Sequence, residues 1–132
     1  MKAIADTNVL IRMAVQDDPQ QAATAFRLLR NAEAVMISLP CICEFVWVLR
    51  RFYKFGKSEI AAAIEELLRA KNVVIDRSAV DAGLATLYGN GDFADGIMAW
   101  EGSKLGGEIF ASFDKDAVKL LATQGYKTKL LP

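Results

Sequence analysis

Four acidic residues, Asp6, Glu44, Asp95 and Asp114, stand where carboxylates can do chemistry. Asp6 closes a short apolar run, Lys2 to Ala5, and is followed by Thr7 and Asn8, so it is either a ligand at a strand end or a helix N-cap worth about 1 kcal/mol. Glu44 is the single charge between Ser38 and Arg50, in a segment apolar almost all round. A buried lone carboxylate is expensive unless paired or metal-bound, and the alternative is a narrow solvent-facing stripe. Asp92 and Asp95 lie three residues apart across a helix start and can face the same side. Asp114 repeats the setting of Asp6, at the end of an apolar run and before Lys115-Asp116 and a helix. Each aspartate by itself is also readable as a cap. As a set they would repel one another and resist ionising, a conflict that a hard divalent cation such as magnesium or manganese resolves. Such a centre suits phosphodiester cleavage, because the cation activates water, orients the phosphate and steadies the departing oxygen.

The composition narrows the chemistry further. The chain has no histidine, which removes Ser-His-Asp and Cys-His nucleophile systems and imidazole acid–base catalysis. Cys41 and Cys43 are the only cysteines. Two residues apart, they are too strained for an ordinary disulfide and too few to close a zinc site, so reduced thiols are expected. Sixteen basic residues balance sixteen acidic ones, so a polyanion must be held by a local patch or through bound metal. No glycine signature of a nucleotide-binding loop occurs.

The elements that must position these groups follow from the pattern of apolar residues. Strands are expected at residues 2–5, 35–37, 73–75 and 108–112, with an edge strand at 127–130. A helix capped at Asp6-Thr7-Asn8 runs through Val15. A second opens at Pro19, with Ala22, Phe26 and Leu29 at helical spacing. Ser38 and Pro40 open an apolar helix through Phe55, ended by Gly56, and Ser58 caps the next, where Ile60, Ile64, Leu67 and Leu68 share a face. Further helices are expected from Asp76 to Leu87, from Phe93 to Leu105 and through Ala117–Thr123, with Gly89-Asn90-Gly91 as a loop. Short strands alternating with helices predict an α/β fold, a three-layer α/β/α sandwich around a short, mostly parallel sheet. The length predicts one domain, residues 1–132. Ligands in such folds sit at the carboxyl ends of strands, where Asp6 and Asp114 fall. The longest greasy stretch, Val35 to Leu49, contains Pro40 and Glu44 and is too short to span a bilayer. A soluble, cytoplasmic protein with no membrane partner is expected.

The run I-A-D-T-N-V-L-I at Ile4–Ile11, Glu44 after I-S-L-P, D-F-A-D-G-I-M-A at Asp92–Ala99 and S-F-D at Ser112–Asp114 resemble the PIN domain family. Within it the chain is similar to the VapC-type toxins of toxin–antitoxin pairs, over essentially its whole length. That resemblance implies a magnesium-dependent endoribonuclease, with manganese as a substitute, working as a homodimer and inhibited by a cognate VapB-type antitoxin. It assigns catalysis and metal binding to Asp6, Glu44, Asp95 and Asp114, with Thr7, Asn8 and Ser112 as supporting polar groups. The family's third acid matches Asp95, which leaves Asp92 as an auxiliary ligand or a cap.

RNA would be held by basic residues. Arg50, Arg51, Lys54 and Lys57 are interleaved with Phe52, Tyr53 and Phe55, a mixture that single-stranded nucleic acid binding uses and that a solvated helix end also shows. Arg12, one helical turn beyond Asn8, is a further phosphate contact on this reading. Val46 and Trp47 leave their helix apolar on nearly every side, which points to a second copy or an antitoxin groove. Two other readings stand beside this one. The first is an inactive PIN-like interaction module. The second is a haloacid-dehalogenase-like phosphatase, which needs an acid where Asn8 stands. A phosphoacceptor receiver domain, which wants an acidic pair near the first strand and a lysine on the last, fits poorly.

Overall fold

A computed structural model describes residues 1–132, with seven helices and five short strands, every strand pair parallel. The α/β class expected from the alternation is therefore present. The strands form two hydrogen-bonded sets, of three and of two, and the chain divides into two compact units, Met1–Asp76 and Arg77–Pro132.

In the first unit β1 (Lys2–Ile4), β2 (Ala34–Met36) and β3 (Val73–Val74) make a sheet in the order β1-β2-β3. Pairing runs past the strand end, since Ala5 N–H donates to the Met36 carbonyl at 2.9 Å. Four helices pack here: α1 (Thr7–Val15), α2 (Pro19–Asn31), α3 (Leu39–Arg51) and α4 (Lys57–Arg69). Their buried faces supply Leu10, Ile11, Ile42, Phe45, Leu49, Ile60 and Ile64, each at most 2% exposed. Burying side chains of this size contributes about 1.5–3 kcal/mol each. On α2 the expected stripe is rotated: Ala22 and Ala25 are buried, whereas Phe26 is 40% exposed, because small residues let this helix lie close to its neighbours.

Two helix ends differ from the sequence reading. α3 stops at Arg51 rather than Phe55. Lys54 turns into the left-handed region at φ 57°, and Phe55 N–H donates to the Leu49 carbonyl at 3.0 Å, which satisfies a free carbonyl of the last turn. The cap of α4 is Gly56 rather than Ser58. Ser58 lies inside the first turn, and the Glu59 carboxylate reaches back to accept the Gly56 N–H at 3.0 Å.

In the second unit β4 (Ile109–Ser112) pairs with β5 (Lys127–Leu130), and α5 (Arg77–Tyr88), α6 (Phe93–Lys104) and α7 (Lys115–Thr123) pack around them. The closest approach is that of α5 and α6. Gly83 lies against the Phe93 ring, and a Cβ at Gly96 would overlap the Thr86 hydroxyl and the Ala82 carbonyl. Gly96 thus sets how near and in what rotation α6 lies on α5, one residue from Asp95.

Gly96→Ala should therefore destabilise the fold by about 1–3 kcal/mol, since backbone must move to admit the methyl. Gly102, also in α6, has nothing within 4 Å of an added Cβ. Gly102→Ala should be neutral or stabilising by about 0.5–1 kcal/mol through helix propensity. Thermal unfolding followed by circular dichroism distinguishes the two. Equal melting temperatures for both variants would contradict the packing described.

Candidate metal centre

In the first unit the charges of two acids, Asp6 and Glu44, are felt at one sulfur, that of Cys41. Asp6 occupies the N-cap position of α1 with extended dihedrals, yet its carboxylate accepts no backbone N–H of that helix. The capping alternative is not used, and Asp6 stays exposed. The next residue, Thr7, is buried, and its hydroxyl donates to the Cys41 sulfur at 3.8 Å, tying the start of α1 to the first turn of α3. That turn is fixed in place by Ser38, whose hydroxyl accepts the Cys41 N–H at 3.3 Å. Burial pushes the Cys41 thiol above its ordinary range; the Thr7 contact opposes this, and the charges of Asp6 and Glu44 add to it. Both carboxylates are thus within electrostatic reach of Cys41, which remains a neutral thiol at neutral pH. Cys41 and Cys43 are both unbridged, as expected.

Glu44 is exposed, so the argument from burial of a lone carboxylate does not apply to it. It lies on a narrow exposed stripe with Pro40, Trp47, Arg50 and Arg51, while Cys41, Ile42, Phe45, Val46 and Leu49 face inward.

In the second unit three acids converge. Asp92 caps α6, its Oδ1 accepting the Ala94 N–H at 2.9 Å. Asp114 caps α7 more fully: its Oδ1 accepts the N–H groups of Asp116 at 2.9 Å and Ala117 at 3.1 Å. Ser112 supports it from the strand end, its hydroxyl accepting the Asp114 N–H at 3.0 Å. Asp95, half-buried in the first turn of α6, caps nothing. Its carboxyl is pushed up from the ordinary range first by burial, then by the charges of Asp92 and Asp114. In both caps the hydrogen bonds fall on Oδ1, which leaves Oδ2 outside the capping bonds.

The donor set fits a hard cation in kind, being oxygen only, and in charge, since Asp95 is held in a field that favours neutralisation. No group of three or more acidic or cysteine side chains is drawn in closely enough to hold an ion. The acids reach one another electrostatically without forming a finished coordination shell.

The basic residues divide. Arg12 is already engaged: it forms an ion pair with Asp17 at 3.0 Å and donates to the Gln21 side chain at 2.6 Å. Its guanidinium is held even more firmly charged than usual, with the Tyr53 contact the largest cause. Arg12 is therefore a brace between α1 and α2. Arg50, Arg51 and Lys54 are exposed and enter neither of the two ion pairs. Asn8 is exposed on the first turn of α1. The sequence reading missed Gly96, whose signal was an isolated glycine inside a helical pattern.

A family model described as PIN domain matches residues 3–121. No curated protein matches the chain.

A carboxyl whose folded pKa is raised adds stability only while protonated, and that contribution is lost as pH rises through the raised value. At neutral pH without metal, the Asp95 carboxyl is therefore destabilising relative to an uncharged isostere. Asp95→Asn should melt above the parent at pH 7 in chelator, and the gap should close towards acid, where the parent carboxyl is protonated too. Asp114→Ala should lose about 1 kcal/mol with its cap, and Asp6→Ala should lose none. Calorimetric melts across pH read all three, and an Asp95→Asn protein melting below the parent at pH 7 would refute the assignment.

Proposed function

The chain belongs to the PIN domain family, a family of nucleases, and we propose that it is a metal-dependent endoribonuclease, the VapC-type toxin of a toxin–antitoxin pair. The observation that carries this is Asp95, a half-buried carboxyl whose ionisation is opposed by burial and by two neighbouring acids. Such a group has no structural use in the fold as a cap or ion-pair partner, and it gains from a cation.

On this reading residues 1–132 act as one nuclease domain, and Asp6, Glu44, Asp95 and Asp114 hold magnesium, with manganese as a substitute. The bound cation supplies Lewis acidity for phosphodiester hydrolysis. Asp6 and Glu44 contribute negative charge beside the neutral Cys41. Asp114 is held in orientation by its own cap bonds and by Ser112. Thr7 fixes the approach of α1 to α3, and Asn8 lies exposed one residue on, free to meet substrate. Asp92 is an auxiliary acid whose first role is the cap. RNA is held by Arg50, Arg51 and Lys54, with Arg12 stiffening the scaffold. A homodimer and a VapB-type antitoxin complete the reading, on the strength of the motif resemblance. Val46 is buried and gives that partnership no surface. No helix is long and apolar enough to cross a membrane.

Cleavage of RNA should require added Mg²⁺ or Mn²⁺ and stop in EDTA. Asp6→Asn, Glu44→Gln and Asp95→Asn should each fold and lose activity by on the order of a hundredfold or more. The double variant Asp6→Asn/Asp95→Asn should lose little beyond either single one, because residues acting on one centre are not additive. Asp92→Asn keeps a capping side chain and should lose less than Asp95→Asn. Cleavage that persists in EDTA, or in the double variant, would exclude the metal-nuclease reading.

A further inference from the structure

We infer that Trp47 on α3 and Phe52 at its C-terminal cap form a stacking platform for a base of single-stranded RNA, with Trp47 about one helical turn from Glu44. The inference rests on the ribonuclease reading for the identity of the ligand, and on α3 alone for its geometry.

Trp47, on the exposed stripe of α3, is 54% exposed, and Phe52, at the C-terminal cap of that helix, is 72% exposed, although both are large apolar side chains. They touch in an edge-to-face arrangement, with ring centroids 6.2 Å apart and planes at 68°. Edge-to-face pairing is a favoured aromatic geometry, and it leaves more than half of Trp47 open to solvent. Helical spacing puts Trp47 three residues beyond Glu44, about 5 Å along the axis and on the same exposed stripe. Arg50 and Arg51 flank it, and Lys54 follows at the helix end.

Charge selects the occupant. The chain is neutral overall, yet the exposed aromatics are bordered by three cations that enter no ion pair in the structure. An apolar partner helix would have to bury those cations without counter-charge. Single-stranded RNA uses both halves of the surface, since bases stack on the aromatic faces while phosphates neutralise the cations. A duplex hides its bases from such a platform.

The test uses oligoadenylate in EDTA, so that binding is read without cleavage. Trp100→Phe leaves Trp47 as the sole tryptophan. Its fluorescence should be quenched saturably by the single strand, far less by a duplex, and the apparent affinity should fall with salt. Trp47→Ala, checked for folding by circular dichroism, should weaken binding by on the order of ten- to a hundredfold, and Trp47→Phe should restore most of it. Absence of quenching, or unchanged binding in Trp47→Ala, would overturn the platform. So would a Trp47→Ala protein that changes from dimer to monomer in light scattering while binding RNA as before, for that face would then belong to a second copy. Should Trp47→Ala misfold, the quenching experiment on the Trp100→Phe protein decides alone. Quenching without metal-dependent cleavage would leave the platform standing and remove the nuclease reading; cleavage without quenching would do the reverse.

Discussion

The opposition that burial and the charges of Asp92 and Asp114 set against ionisation of Asp95 is the constraint on which the second unit turns. Like charges in a partly desolvated setting oppose each other's ionisation, and a fold that keeps them together must restrain them by other means. The second unit does this with helix starts. Asp92 and Asp114 sit at the N-termini of α6 and α7, where free backbone N–H groups and the helix dipole favour negative charge. The remaining strain falls on Asp95, the one acid of the three without a capping bond and the one whose carboxyl is pushed up. In the first unit the same problem is handled by spacing. Asp6 and Glu44 are both exposed to water, and the buried Cys41 thiol lies within reach of both charges.

Much of the fold was legible in the sequence because its signals are local. Strand runs such as Val35-Met36 and Ile109–Ser112, the Pro19 helix start and the Ser38 cap depend on neighbours a few residues away, and each lies where its pattern places it. What was not legible depends on distant partners. The stop of α3 at Arg51 needs the left-handed turn at Lys54, a conformation for which lysine carries no signal. The Gly56 cap of α4 depends on which way the Glu59 side chain turns. The rotation of α2 that exposes Phe26 is set by the helices it meets.

The candidate site divides along the same line. That Asp6, Glu44, Asp95 and Asp114 deserved attention was readable from residue type and position. Which of them act as caps was not. Asp6 and Asp114 have nearly the same local sequence setting, at the end of an apolar strand and the start of a helix. The structure uses only Asp114 as a cap, accepting two N–H groups, while Asp6 accepts none. Glu44 likewise looked buried from an apolar sequence, because thirteen residues of helix can carry one polar stripe without that stripe dominating the composition.

Cap and metal ligand are therefore not competing descriptions of one carboxylate. A capping bond consumes one oxygen and fixes the plane of the group. The other oxygen is left with a defined direction and with no side-chain rotamer freedom to lose when a ligand arrives. Asp114 shows the full version, with Oδ1 locked by Asp116 and Ala117 and its own N–H locked by Ser112. An uncapped acid such as Asp95 contributes differently. Its position follows from the rotation of α6, and that rotation follows from the closeness Gly96 permits against Ala82 and Thr86. The electrostatics of Asp95 thus depend on a hydrogen atom at position 96: a methyl group there would move the helix, and with it the charge that the neighbouring acids oppose.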